Sequence, residues 1–241
     1  MEALVGGGNA ILLLLTGMAV VGALLIAFIA FRRDQPRVAR TFLGGGTIIA
    51  LLYAGGVIAA SAGSSEKILA RGETKWFCGF YLDCHLGMSV ESAEKVAELP
   101  AAGGSAVKPT GVFHVVTLQL HNNAKNPRID MLLYEPEFRI VDALGNEYAR
   151  SAAAEAALAT GAQRPGPLGP ETKVTHQPIQ ATIAFDLPAN VQRPRLLVSE
   201  GWILDRVIER GLINDENSIL HKRTLLALDD SLDRTASGPA Q

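Results

Sequence analysis

Residues 112–120 read VFHVVTLQL, and this stretch decides the fold of the larger part of the chain. Val112, His114, Val116, Leu118 and Leu120 share one face, and Phe113, Val115, Thr117 and Gln119 share the other. Apolar residues that recur with period two are typical of a β-strand with one face buried in a core. The stretch therefore predicts a strand that contributes one face to a sheet core.

Similar short patterns, separated by turn residues, extend outward from this strand. Ile179–Leu187 also alternates, and Phe138–Val141 leads through Gly145 to Tyr148 in a hairpin pattern. Further β-rich pieces are Trp76–Leu82, Leu86–Val90, Arg195–Ser199 and Ser218–Leu228. Seven or more short strands predict an all-β sandwich, here over residues 66–230, followed by a flexible tail at 231–241.

Three segments interrupt this β pattern. Ser151–Ala159 is rich in alanine and predicts a short helix. Gln163–Pro170 contains three prolines, which predict a surface loop excluded from any strand ladder. Trp202–Arg210 fits a strand or a helical turn, and both readings stay open.

Several local motifs resemble one bacterial domain family. They are the strand ending in His121-Asn122-Asn123, the hairpin Asp142-Ala-Leu-Gly145-Asn-Glu-Tyr148, Gly169-Pro170-Glu171, and Ala184-Phe-Asp186-Leu-Pro188. Between Thr110 and Val198 the chain resembles an immunoglobulin-like (Ig-like) bacterial domain of unknown function, common in exported lipoproteins and membrane-anchored proteins. The resemblance implies an Ig-like sandwich outside the cytoplasm and supplies no catalytic residue. The family has a Pro-Gly turn where this chain has Gly169-Pro170.

Two uncharged apolar stretches precede the β pattern. Ala10–Phe31 holds 22 residues, which as a helix would span about 33 Å and cross a bilayer core. A second stretch, Thr41–Ser65, is richer in glycine, which membrane helices tolerate. Because Met1–Asn9 contains no basic residue, we expect the first stretch to be a retained span rather than a cleaved signal peptide.

The link between the two stretches, residues 32–40, carries Arg32, Arg33, Arg37 and Arg40. Arginines concentrate in short cytoplasmic loops, so the pattern predicts a transmembrane α-helical hairpin with its turn in the cytoplasm. The N-terminal tail (residues 1–9) and the β domain would then lie outside, on the periplasmic or extracellular side of the cytoplasmic membrane. Small residues recur at four-residue spacing in both spans, which favours close packing of the spans on each other or on another membrane subunit.

Composition and motifs favour a binding role over catalysis. From Glu66 onward the chain contains 18 Lys and Arg residues and 22 Asp and Glu residues. This mildly acidic balance gives no reason to expect the concentrated basic surface that nucleic-acid binding requires. The chain contains no Gly-x-Ser-x-Gly, His-Glu-x-x-His or phosphate-binding glycine loop. We therefore expect a non-enzymatic interaction module, or an accessory subunit, that binds another envelope or membrane protein.

The segment WFCGFYLDCH (residues 76–85) holds Cys78 and Cys84, the two cysteines of the chain. In an oxidising compartment a structural disulfide between them is the default expectation, and Gly79 can help to turn the short loop. The alternative is a copper-binding or redox domain with the layout of the second subunit of haem-copper oxidases. Cys78, Cys84, His85 and Met88 would be the ligands, and His114 a further candidate. The sequence otherwise predicts His114 to be a hydrogen-bonded core or edge residue, and His121, His176 and His221 to face solvent.

A thiol count on the purified full-length chain distinguishes these alternatives. We expect two thiols that are blocked in the native protein and react only after reduction, together with no copper by elemental analysis. Free thiols accompanied by stoichiometric copper would instead establish the metal site.

Overall fold

A computed structural model describes residues 2–77, 85–100, 106–126, 128–160, 164–199, 203–213 and 218–229. Cys78, Cys84 and the predicted tail at 231–241 lie outside the described residues. The described chain forms two compact units. The helical unit contains residues 2–65 and the described part of 204–222, and the β unit contains most of the remaining residues.

Two long helices form most of the helical unit: α1 (Glu2–Arg32) and α2 (Pro36–Ala62). The turn between them is short, with Asp34 at a positive φ of 55°. Pro36 occupies the first turn of α2, where its missing N–H is not needed. Arg37 and Arg40 of the predicted link at 32–40 therefore lie in the first turns of α2.

The two helices pack on each other through small residues, one of the two arrangements that the sequence left open. A Cβ placed on Gly46 would lie 3.0 Å from the Cβ of Ala23. Ala27 and Gly46 are buried, whereas the large apolar side chains along both helices are exposed. Ile11–Arg32 and Pro36–Ala62 are both long and apolar enough to cross a membrane, which is consistent with a membrane anchor or a signal segment.

The β unit contains a five-stranded sheet, a four-stranded sheet and two short ribbons. The strands are β1 (Lys67–Leu69), β2 (Lys75–Phe77), β3 (Leu86–Val96), β4 (Leu99–Pro100), β5 (Ala106–Val107), β6 (Val112–Asn122), β7 (Met131–Tyr134), β8 (Glu137–Val141), β9 (Glu147–Ala149), β10 (Glu171–Val174), β11 (Ile179–Leu187), β12 (Arg195–Ser199) and β13 (Thr224–Ala227). The sheet orders are β1-β13-β12-β8-β9 and β11-β6-β3-β2, and the ribbons are β7 with β10 and β4 with β5. All pairs are antiparallel except β1 with β13.

One hydrophobic core contains residues from both larger sheets. The four-stranded sheet contributes Leu118 of β6 and Ile183 and Phe185 of β11, and the five-stranded sheet contributes Ile140 of β8 and Leu196 of β12. All five side chains are fully buried. The alternation predicted for Val112–Leu120 and Ile179–Leu187 is thus present, and its apolar face lies in this core.

A second, smaller cluster covers the opposite face of β6. Phe113 and Val115 pack there against Ala154, Ala157 and Leu158 of helix α3 (Ala152–Thr160). The predicted helix at Ser151–Ala159 is therefore confirmed, and its role is to bury the second face of the central strand.

Other segments differ from the sequence-based expectation. The pattern Ser218–Leu228 is a strand only at Thr224–Ala227, because Leu220 adopts a positive φ of 68° within a turn. Residues 203–211 form a helix, α4 (Ile203–Gly211), which resolves the open choice for Trp202–Arg210. Pro167 forms an isolated bridge with Thr182, in which the Thr182 backbone N–H donates to the Gly166 carbonyl at 3.0 Å, so the bridge requires no N–H from the proline.

We expect the substitution Phe185→Ala to lower the free energy of unfolding of the β unit by about 3–5 kcal/mol, because it removes a fully buried ring from the shared core. Leu144→Ala, at a side chain that is 88% exposed, should change it by less than about 0.5 kcal/mol. Urea unfolding of the full chain in detergent, followed by circular dichroism, compares the two. Equal effects of both substitutions would contradict this description of the core.

Candidate interaction surface

The ribbon formed by β7 and β10 carries the main candidate surface of the β unit. Leu133 is paired with Thr172 and points into the shared core, and Val174 at the ribbon end is also buried in it. Neighbouring side chains of a strand point to opposite faces, so Leu132 and Tyr134 point away from the core. The ribbon is therefore fixed on its inner face and open on its outer face.

Asn122, at the end of β6, attaches the ribbon to the four-stranded sheet. Its amide Nδ2 donates to the Ile129 carbonyl at 2.9 Å and to the Val174 carbonyl at 3.0 Å. Its Oδ1 accepts from the backbone N–H of Ala124 at 3.0 Å. A buried side chain that satisfies three backbone groups on three segments gives the ribbon a defined position.

We call Ile129, Leu132 and Tyr134 the ribbon patch. Their exposed fractions are 49%, 46% and 40%, large for apolar or aromatic side chains that lie near one another in sequence. Beside the patch, Lys173 Nζ and Asp130 Oδ2 form an ion pair at 2.6 Å. An apolar centre with a charged rim is the usual composition of a protein–protein interface, in which tyrosine is enriched.

The ribbon patch was missed by the sequence interpretation, which assigned no strand to residues 129–134. A signal was present, because Met131–Tyr134 is a short apolar run that carries large residues on both faces. On a strand of the β unit such a run leaves one apolar face without a core to cover it.

Of the alternative copper ligands, the described part of the chain contains His85, Met88 and His114. Met88 is fully buried in the shared core, opposite Leu120 of β6. His114 lies six residues farther along β6, which corresponds to about 20 Å along the strand. His85 is buried just before β3, while Cys78 and Cys84 lie outside the described residues. Among the described residues no group of three or more His, Cys, Asp or Glu side chains could hold a metal ion.

A serine and a histidine meet on the outer face of the four-stranded sheet. Ser89 Oγ lies 3.0 Å from His121 Nε2, a separation that nucleophile and base require. Ser89 is buried, however, and within the described hydrogen bonds no carboxylate orients the His121 ring. This pair therefore lacks the access and the third group of a catalytic triad.

The pair instead lies beside an indole. Trp76, Gly87 and His121 are aligned across β2, β3 and β6, and the Trp76 and His121 ring centroids are 6.3 Å apart. A Cβ on Gly87 would come within 2.8 Å of the Trp76 ring, so the glycine lets the ring lie against the sheet. His121 is half-buried rather than solvent-facing as predicted, and burial lowers its pKa.

The two aspartates of the family-like motifs have structural roles. Asp142 Oδ1 accepts from the backbone N–H groups of Leu144 and Asn146, and its Oδ2 accepts from Asn146 Nδ2 and the Tyr148 hydroxyl. The bond from the Asn146 side chain is the main cause that lowers the pKa of Asp142. Gly145 has a φ of 84°, the left-handed conformation predicted for this turn.

Asp186 of β11 has a different structural role, because it binds the segment that precedes β6. Its carboxylate accepts from the backbone N–H groups of Thr110 and Gly111, at 2.7 and 3.0 Å. Asp142 thus fixes a turn, and Asp186 fixes the entry to the neighbouring strand.

Comparison with known proteins gives similarity in structure only. No family model matches the chain, and no curated protein matches it. A conserved hypothetical protein from Bacillus anthracis is 16% identical, with a TM-score of 0.36 over 47% of this chain and 82% of its own. The yjhA protein from Bacillus subtilis is 15% identical, with a TM-score of 0.40 over 68% of this chain and 100% of its own.

The secreted protein MPT63 from Mycobacterium tuberculosis is 12% identical, with a TM-score of 0.41 over 68% of this chain and 98% of its own. Similarities of this size assign neither a family nor an activity, so the function of this chain has to be argued from its own residues.

His114 predicts a pH dependence of stability. Burial, followed by the positive charge of Lys95 on the adjacent strand, lowers the His114 pKa from 6.5 to about 4. Between these values the unfolded chain binds a proton that the folded chain does not, so stability falls as the pH decreases from about 6.5 to about 4. The loss should be about 1–3 kcal/mol, the lower figure allowing for solvent screening.

The contribution of His114 to the pH dependence of stability is measured by urea unfolding at a series of pH values. The measurement compares wild type with His114→Gln. The variant should lose less stability than wild type over this interval, because glutamine does not titrate. Parallel curves for the two proteins would show that His114 does not contribute.

Proposed function

We propose that the chain is a membrane-anchored, extracytoplasmic interaction module whose β unit is an Ig-like sandwich without enzymatic activity. It would serve as a binding partner or accessory subunit in an envelope protein complex. The observation that carries this proposal is the ribbon patch, an exposed apolar surface on a rigid ribbon.

Charge asymmetry of the helical unit supports the proposed location. Arg33 lies in the turn, and Arg37 and Arg40 lie in the first two turns of α2. No Lys or Arg occurs in residues 1–31 or between Arg40 and Lys67. With the turn in the cytoplasm, the start of α1 and the end of α2 both lie outside, and the β unit follows the end of α2.

The Ig-like assignment rests on the shared core of two largely antiparallel sheets, on the turn fixed by Asp142 and on the hydrogen bonds that Asp186 accepts from the segment before β6. In such a scaffold the loops and edge strands carry recognition while the sheets provide rigidity. The ribbon of β7 and β10 meets this description, since each of its strands pairs with one neighbour among the described strands.

The ribbon patch provides the apolar contact that a partner protein would bury. Three exposed side chains of this size lose contact with water on binding, at roughly 25 cal/mol per Å² of apolar area. The Lys173–Asp130 ion pair at the rim would add orientation more than affinity. A protein partner is favoured over a small ligand because Leu132 and Tyr134 are exposed on the outer face of a two-stranded ribbon, whereas small-molecule sites are concave.

The test is affinity purification of the full chain from its native membrane in mild detergent, with identification of co-purifying chains. We expect a defined partner with wild type and a loss of at least about tenfold with Leu132→Glu, since a charge would be buried at the interface. Leu144→Glu is the matched control because it changes a single exposed leucine in the turn before β9. It should leave the yield of the partner unchanged.

A wild-type protein that purifies at native expression as a monomer without a partner would contradict the proposal. Equal loss of the partner with Leu132→Glu and Leu144→Glu would show that the ribbon patch is not the binding surface.

A further inference from the structure

We propose that residues 204–213 and 218–220 form a membrane-interfacial segment, in which Val207, Ile219 and Leu220 insert among the acyl chains of the outer leaflet. The inference rests on the proposed transmembrane hairpin and adds a second contact with the bilayer. It is carried by the way in which this segment attaches to α1 and α2 within the helical unit.

Two side chains from the apolar helices bind the backbone of the segment. The Tyr53 hydroxyl of α2 donates to the Gly211 carbonyl at 2.8 Å, and Asn9 Nδ2 of α1 donates to the Ile213 carbonyl at 2.7 Å. Gly211 is the last residue of α4, where helical carbonyl groups lose their partners within the helix, and Ile213 follows two residues later. A backbone that enters a poorly hydrated region must satisfy such groups internally, and these two bonds do so.

Small residues allow close contact along the same path. A Cβ on Gly56 of α2 would lie 3.5 Å from Ile213 Cδ1, and a Cβ on Gly211 would lie 3.5 Å from both Leu13 methyl carbons. Leu212 is buried between these contacts. The end of α4 therefore packs on the flanks of both helices by ordinary van der Waals contact.

Residues 218–222 contact the end of α2. Ser218 Oγ lies 3.3 Å from Ser61 Oγ, and the backbone N–H of Lys222 donates to Ser64 Oγ at 2.8 Å. From Tyr53 to Ser64 the rise of a helix is about 16 Å. The segment thus extends along the outer third of the hairpin, which the predicted span Thr41–Ser65 places in the outer leaflet.

The apolar side chains of this segment are exposed where lipid would be. Val207 is 62% exposed, Ile219 56% and Leu220 68%. Exposed apolar side chains of α1, such as Leu14 and Leu15, lie just beyond Leu13, which contacts Gly211. The segment therefore adjoins the surface that the proposed hairpin presents to lipid, which favours the outer leaflet as the occupant of its exposed apolar side chains.

Fluorescence quenching by brominated lipids tests the insertion. Three single substitutions are made in the full chain, which is reconstituted in phosphatidylcholine vesicles brominated near the head of the acyl chain. Ile219→Trp probes the segment, Met18→Trp probes the hairpin at an exposed position, and Leu144→Trp probes the β unit. The emission of wild type, with its two native tryptophans, is subtracted.

We expect the added emission of Ile219→Trp and Met18→Trp to fall by about twofold or more in brominated vesicles, and that of Leu144→Trp to stay unchanged. Acrylamide, a quencher dissolved in water, should quench the added emission of Leu144→Trp more strongly than that of Ile219→Trp or Met18→Trp. If Met18→Trp is quenched but Ile219→Trp, like Leu144→Trp, is not, the interfacial segment is overturned and the proposed anchor remains. Absence of quenching at Met18→Trp would overturn the proposed anchor and, with it, this inference.

Discussion

The β unit depends on the burial of β6 on both of its faces. One face of this strand lies in the core shared by the two larger sheets, and the other lies under α3 at Phe113 and Val115. Its backbone is paired on both sides, with β3 and with β11 over nine or more residues each. A strand enclosed in this way fixes the register of its neighbours, since a slip by one residue would exchange its two faces.

The helix that covers the second face is held by one ion pair. Arg150 Nε and Nη2 donate to the two carboxylate oxygens of Glu155 at 2.6 and 2.9 Å, and Nη2 also donates to the Leu168 carbonyl at 3.1 Å. The guanidinium carbon lies 5.6 Å from the centre of the Phe138 ring. A forked, partly buried pair with further hydrogen bonds defines geometry better than an exposed pair does, so α3 keeps one position on the sheet.

The strands in which apolar residues alternate with a period of two could be predicted from the sequence. The faces of β6 and β11 and the left-handed Gly145 are local properties, readable from alternation and turn chemistry. The ribbon of β7 and β10 could not be predicted, because its position depends on Asn122 and on partners 52 residues apart. For α4 the choice between helix and strand depended on contacts with Asn9 and Tyr53, which lie 204 and 158 residues away from their acceptors.

Exposed apolar residues are distributed differently in the two units. In the helical unit they form a continuous surface along α1 and α2, and their number exceeds what a water-soluble helix pair could expose. In the β unit the main cluster is the ribbon patch, where Leu132 and Tyr134 stand on strands whose inner face is already buried. The first distribution fits a solvent of low polarity along a whole helix, whereas the second fits the proposed contact with one partner of limited area. The proposed anchor and the proposed recognition surface are thus compatible in one chain, because the two kinds of apolar surface differ in extent and in the rigidity of their support.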